Sequence, residues 1–255
     1  MRIGSLAVAA KCGFMILLAH GFAAEAAEIK VLVAGALQPA LHELGPRFER
    51  ETGHKLAIQY SVVGKLKGRI EGGEGFDVAI LTTPIMEDLA KQGKIGADTR
   101  ANIARSRIGV YVRAGAPKYD IKSADAFKRA MLNAKSISYH REGAIAMSLA
   151  TLFERLGISE QMKAKTKYPQ GARAAKSVAD GEAEIGLIPI GAVETVPGLE
   201  LLGPLPAALQ VSIGYTGGVG AAAKEAKVGK VFIEFLKTPE AGLVLKANGL
   251  SPTTR

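Results

Sequence analysis

The 255-residue chain has 1 cysteine and no tryptophan, and aromatic residues make up only 5% of it. One cysteine cannot form an internal disulfide, so a folded structure must be held by its apolar core. Cys12 follows Lys11 and precedes an apolar run, which is not the setting of a lipid-modified cysteine. Phe and Tyr are scattered rather than gathered into an aromatic and basic stripe, so no platform for stacking nucleic-acid bases is expected. Charge of one sign is short: 24 acidic residues face 33 basic ones, a net charge of +9. That balance favours anionic partners in general and specifies none. With 48% apolar and 22% charged residues, the composition is that of globular domains and excludes disordered or collagen-like classes.

Long hydrophobic runs are also missing. Residues 1–26 hold Arg2 and Lys11, the apolar run from Phe14 to Ala19, and the small-x-small triplet Ala24-Glu25-Ala26. The apolar stretch is shorter than the roughly 20 residues a membrane span needs. The segment therefore reads as an export signal cut near Ala26. The rest of the chain is expected to be soluble in the periplasm and monomeric.

Catalytic signatures are thin. Beyond residue 26 the only histidines are His42, His54 and His140, with no H-x-x-x-H pair and no cysteine. No metal ligand set, and hence no metal or other cofactor, is expected. There is no G-x-S-x-G elbow, no phosphate-binding G-x-x-x-x-G-K-S/T loop and no G-x-G-x-x-G after the first strand. The acidic neighbours Glu71/Glu74 and Glu87/Asp88 read as solvated helix faces. The chain does not read as an enzyme. An exported hydrolase would have only His140 with Ser61 or Glu142 to work with, and a transcription regulator would need a helix-turn-helix domain where the export signal stands.

What the chain does have is alternation. Short apolar, β-rich runs at 29–34, 56–60, 77–81, 108–112, 136–139, 185–188 and 209–213 are separated by amphipathic stretches. Leu37, Leu41, Leu44 and Phe48 share one helical face, which Gly45-Pro46 is expected to kink or split. Ile145, Leu149, Leu152, Phe153 and Leu156 form a second stripe, stopped by Gly157. This pattern predicts an α/β fold with mostly parallel sheets and right-handed crossovers. Two stretches break the alternation: two basic, strand-like segments within 101–115, and the Pro-entered, Gly-exited segment 204–220. They would let the chain leave a first lobe and return to it. The expected division is a discontinuous first lobe of 27–108 and 214–255, a second lobe of 109–213, and a cleft between them.

In such sheets ligands bind at the carboxyl ends of strands. Those ends here are Ala34-Gly35-Ala36-Leu37-Gln38, Ser61-Val62-Val63-Gly64-Lys65, Thr82-Thr83-Pro84, Tyr139-His140-Arg141-Glu142-Gly143-Ala144, Pro169-Gln170-Gly171-Ala172-Arg173 and Pro189-Ile190-Gly191. Small residues at a strand-to-helix junction admit a ligand to free backbone amides, and the helix dipole adds partial positive charge. Lys65, His140, Arg141 and Arg173 bring formal or potential positive charge to the same places. A desolvated charged hydrogen bond is worth about 1.5–3 kcal/mol. Arg141 is the first candidate because its guanidinium can grip a carboxylate in two parallel bonds. Ordinary turn chemistry explains each glycine equally well, and His140 also fits a structural role.

The chain resembles a type II periplasmic solute-binding protein, and within that group the molybdate-receptor family of ABC transporters. The resemblance spans residues 28–252. It is carried by Ile29-Lys30-Val31-Leu32-Val33-Ala34-Gly35-Ala36-Leu37, by Arg69-Ile70-Glu71-Gly72-Gly73 leading into Phe76-Asp77-Val78-Ala79-Ile80, and by Glu154-Arg155-Leu156-Gly157. It continues through Val178-Ala179-Asp180-Gly181-Glu182-Ala183-Glu184-Ile185-Gly186-Leu187 and Phe235-Leu236-Lys237-Thr238-Pro239-Glu240-Ala241. It implies two lobes that close over an anion and a membrane permease as partner. It also implies binding serines where Ala36 and Val63 or Gly64 stand, and a binding tyrosine where Pro189 stands. Backbone donors at Gly143, Ala144 and Gly171 would survive that change. Each hydroxyl lost leaves a bond unmade at about 1–3 kcal/mol. The expected ligand is accordingly a small organic carboxylate held near Ala36, Ser61, Thr82 and Arg141, with Leu37, Val62 and Val63 against its carbon skeleton. A molybdate- or tungstate-type oxyanion is the alternative.

Overall fold

A computed structural model describes residues 26–169, 173–191 and 196–253. The export-signal reading of residues 1–26 therefore falls almost wholly outside the described residues, and so does Gly171. Among the described residues no helix is long and apolar enough to cross a membrane.

The first half of the chain builds three strands and three helices: β1 (Glu28–Ala34), α1 (Gln38–Thr52), β2 (Lys55–Ser61), α2 (Val63–Glu71), β3 (Val78–Thr82) and α3 (Thr83–Lys91). A 3₁₀ turn at Gly35–Leu37 joins β1 to α1. β1 lies between β2 and β3 and is parallel to both. Successive strand residues face opposite sides, so Val31 and Val33 pack under α1 while Leu32 packs with Leu66 and Ile70 of α2 and Met86 and Leu89 of α3. Helices thus cover both faces, which is why the central strands read as continuous apolar runs.

α1 is one helix, although Pro46 stands inside it. Pro46 removes one intrahelical bond, but the face formed by Leu41, Leu44, Gly45 and Phe48 is buried and outweighs that loss. The predicted split at Gly45-Pro46 is absent.

The middle of the chain follows as β4 (Ala101–Arg113), α4 (Ala124–Asn133), β5 (Ile137–Ser138), α5 (Ala146–Arg155), α6 (Ser159–Lys165), β6 (Thr166–Lys167), α7 (Ala174–Ala179), β7 (Ile185–Pro189) and β8 (Leu199–Pro204). β5 runs parallel to β6 and β7. α5 ends as the sequence indicates, with Gly157 at φ +66° and its amide on the Glu154 carbonyl. The last elements are β9 (Ser212–Val219), α8 (Ala226–Phe235), α9 (Pro239–Ala247) and β10 (Ser251–Pro252).

The strand order β2-β1-β3-β9-β4-β7-β5-β6 hinges on β4. Residues 101–107 of β4 pair antiparallel with β9, and from Ile108 onward the same strand pairs with β7 and β8. The two basic stretches that the sequence shows there are one continuous strand. The sheet is mixed: parallel pairs lie toward both ends, and the long strands β4 and β9 are antiparallel to their neighbours. The strand expected at 209–213 is displaced, because Ala207–Leu209 forms a 3₁₀ turn after Pro206 and β9 begins at Ser212. β9 then runs through the glycines at the exit of the 204–220 segment. A Cβ at Gly214 would stand 2.7 Å from Thr83 Oγ1, and one at Gly218 would stand 2.8 Å from Ile95 Cγ2. Close approach of α3 and its flanking turn, rather than turn geometry, requires glycine at these strand positions.

The C-terminal helices return to the first half of the fold. Phe48 of α1 meets Phe232 and Phe235 of α8 edge-on, with centroids 5.0 and 5.5 Å apart.

Candidate functional site

A cavity of about 220 Å³ lies where the two halves of the sheet meet. It is smaller than the roughly 300–1,000 Å³ of drug-sized sites and suits a small guest. Its walls come from strand ends: Ala34 to Ala36 after β1, Tyr60 to Val63 after β2, and Leu187 to Pro189 of β7. His140 and Gly143 to Ile145, in the turn after β5, close it from the other side, and Tyr215 of β9 forms part of the wall. No lysine, arginine, aspartate or glutamate stands among its described lining residues.

Three helices begin at this cavity. α1, α2 and α5 have no side-chain cap and no acidic residue in the first turn. An uncapped start presents partial positive charge, although one first-turn amide of each is already engaged: Gln38 with the Gly35 carbonyl, Gly64 with the Glu142 carbonyl and Ala146 with the Gly143 carbonyl. α3 and α8, which begin elsewhere, are likewise uncapped and acid-free, whereas α4 and α9 are capped. Ser123 Oγ accepts from the Ala126 amide at 3.1 Å and Thr238 Oγ1 from the Ala241 amide at 3.3 Å, with Asp125 and Glu240 in their first turns.

The polar side chains at the cavity are neutral donors and acceptors. Burial lowers the pKa of His140, and its Nε2 accepts from the Ala174 amide at 3.4 Å, so the ring is neutral with its hydrogen on Nδ1. Burial pushes the Tyr60 hydroxyl up to about 12 and the Tyr215 hydroxyl up as well. Both remain protonated at neutral pH. Tyr215 is wholly buried, and its hydroxyl has no hydrogen-bond partner among the described residues. Among the described residues no group of three His, Cys, Asp or Glu side chains is placed to hold a metal ion.

Of the residues singled out from sequence, Ala36, Ser61, Val62, Val63, His140, Gly143, Ala144 and Pro189 line the cavity. Leu37 and Thr82 are buried beside it without lining it. Gly64 borders it, but its amide donates to the Glu142 carbonyl at 3.0 Å. Arg141 is exposed, with its guanidinium carbon 4.4 Å from the centroid of the Tyr168 ring, and it is not part of the cavity wall. Lys65 and Arg173 are exposed. Gln38, at the end of the first strand-end segment, also lines the cavity, while sequence reading passed over Tyr60 and Tyr215. Tyr60 precedes Ser61 on a strand end already flagged, so widening that window by one residue finds it. Tyr215 sits in a glycine-rich run without a local signal.

Residues 29–251 match the family of bacterial extracellular solute-binding proteins. The chain belongs to that family. The chain is 26% identical over 229 residues to an aconitate isomerase from a Pseudomonas species, covering 88% of this chain and 87% of the relative. It is 27% identical over 244 residues to the molybdate-binding protein of Azotobacter vinelandii, covering 89% and 91%. The solved periplasmic molybdate-binding protein of Azotobacter vinelandii superposes with a TM-score of 0.73 at 19% identity, over 87% of this chain and 98% of that one. The tungstate-binding protein of Desulfovibrio alaskensis superposes with a TM-score of 0.64 at 17% identity, over 90% and 100%. These superpositions establish a solute-binding fold of two lobes.

Proposed function

We propose that this solute-binding protein is a periplasmic receptor that captures a small organic carboxylate in the 220 Å³ cavity and delivers it to an ABC permease. One observation carries the reading: three uncapped, acid-free helix starts converge on a cavity whose other walls are mainly apolar. Backbone amides at helix N-termini bind anions without a cationic side chain. The side chains of Val62, Val63, Ile145 and Leu187 offer no hydrogen bonds, so a carbon skeleton fits against them better than a dehydrated tetrahedral oxyanion does. The relative named for aconitate acts on an organic carboxylate, which supports the same ligand class.

The change of partners along β4 supports a division into two lobes. On this reading the first comprises residues 27–108 and 214–255, the second comprises residues 109–213, and the chain crosses between them in β4 and again at the start of β9. Residues 1–26 act as the export signal, and the protein works as a monomer. Cleft closure supplies affinity through contacts made only in the closed state.

A second reading, isomerisation of an unsaturated carboxylate, rests on the neutral His140 and the tyrosine hydroxyls at the cavity together with the isomerase-named relative. The experiment is a melting-shift screen against succinate, citrate, trans-aconitate, sulfate, tungstate and molybdate, with analysis of the recovered ligand. Stabilisation that grows with carboxylate concentration, with the ligand recovered unchanged, supports the receptor. Conversion of trans-aconitate supports the isomerase, and stabilisation by oxyanions alone defeats the carboxylate reading.

A further inference from the structure

Buried polar groups are nearly always hydrogen-bonded, and an exception needs an explanation. Tyr215 is such an exception at the cavity: its side chain is 0% exposed, it forms part of the wall, and its hydroxyl has no partner among the described residues. Its neighbour on the opposite face of β9 is fully engaged. Thr216 Oγ1 pairs with Thr83 Oγ1 at 2.9 Å and donates to Asn102 Oδ1 at 3.0 Å. Gln210 and Thr253 also carry a buried side-chain oxygen with no partner among the described residues, but neither lines this cavity. A phenylalanine in place of Tyr215 would keep the ring in the core and remove the unmet hydroxyl. A guest oxygen that reached this hydroxyl from the cavity would supply the missing acceptor.

We propose that Tyr215 is a specificity-determining residue that donates its hydroxyl hydrogen to an oxygen of the bound carboxylate, from β9 rather than from the loops that supply the backbone amides. This rests on the reading of the cavity as a carboxylate site. It places one side-chain donor opposite the helix starts, so a ligand is held from the central sheet as well as from the two loop clusters. It also predicts discrimination: a site built to bond an oxygen rejects a ligand that leaves the hydroxyl unmet.

The test compares wild type with Tyr215→Phe by calorimetric titration with succinate, citrate, trans-aconitate and molybdate, and by melting without ligand. The proposal expects the unliganded variant to melt at the same temperature or higher. It also expects affinity for the best-bound carboxylate to fall about tenfold or more. Affinity within about twofold of wild type overturns it. So does a lower melting temperature without ligand, which would show that the hydroxyl has a partner inside the protein. If wild type binds molybdate but no carboxylate, the carboxylate reading fails, while a loss of molybdate affinity in the variant still upholds Tyr215 as a ligand contact. If wild type binds none of the four, the unliganded melting comparison decides: an unchanged or higher melting temperature upholds the unmet hydroxyl, and a lower one overturns it.

Discussion

The amide of Gly64, the second residue of α2, donates to the carbonyl of Glu142 at 3.0 Å, and a Cβ on Gly64 would stand 2.8 Å from the Glu142 Cβ. This contact ties the start of a helix packed on β1 to the turn after β5, directly beside the cavity. Glycine is required there by close approach and not by an unusual φ.

Gly64→Ala tests this contact. Alanine favours a helix over glycine by about 0.5–1 kcal/mol, but the clash with Glu142 costs about 1–3 kcal/mol, so the unliganded variant is expected to melt lower than wild type. The added methyl opposes the Gly64–Glu142 approach, and carboxylate affinity is expected to fall about tenfold, or roughly 1.4 kcal/mol. Titration and melting of the same preparation check both halves.

His140 sets a pH dependence. Burial holds its pKa below the ordinary 6.5, so as pH falls below about 6.5 the unfolded chain takes up the proton before the folded one. The folded state then loses stability, and the Nε2 acceptor for the Ala174 amide disappears on protonation. Wild type is expected to melt progressively lower between about pH 7 and pH 5. His140→Gln, which keeps an acceptor but cannot titrate, should show a shallower slope over the same interval.

Phe48 joins the two chain ends of the first half of the fold. It is 0% exposed and packs on Phe232 and Phe235. Phe48→Ala is expected to cost about 3–5 kcal/mol, as for a large aromatic removed from a packed core. Denaturant unfolding monitored by circular dichroism reads this directly.

Arg141 and Tyr215 exchange importance between sequence and structure. With its guanidinium over the Tyr168 ring, Arg141→Ala is expected to cost less carboxylate affinity than Tyr215→Phe. The two titrations done side by side decide it.

The fold was largely legible because its signals are local. The apolar runs at 29–34 and 185–188 and the stripe ending at Gly157 each announce an element through periodicity and one punctuating glycine. β4 and β9 were less legible because their glycines and charged residues answer to partners far along the chain. Gly214, for example, is required by Thr83. The strand ends that line the cavity were readable from topology. Their chemistry was not: whether Gly64 offers its amide to a ligand or to Glu142 depends on a contact 78 residues away in sequence, and nothing around Tyr215 marks it as reaching the cavity.

The most direct measurement is calorimetric titration of the purified protein with succinate, citrate, trans-aconitate and molybdate, followed by analysis of the recovered titrant. The account predicts one carboxylate bound at a single site per chain, more tightly than molybdate and returned unchanged. Molybdate binding more tightly than every carboxylate, or no carboxylate binding at all, would contradict it.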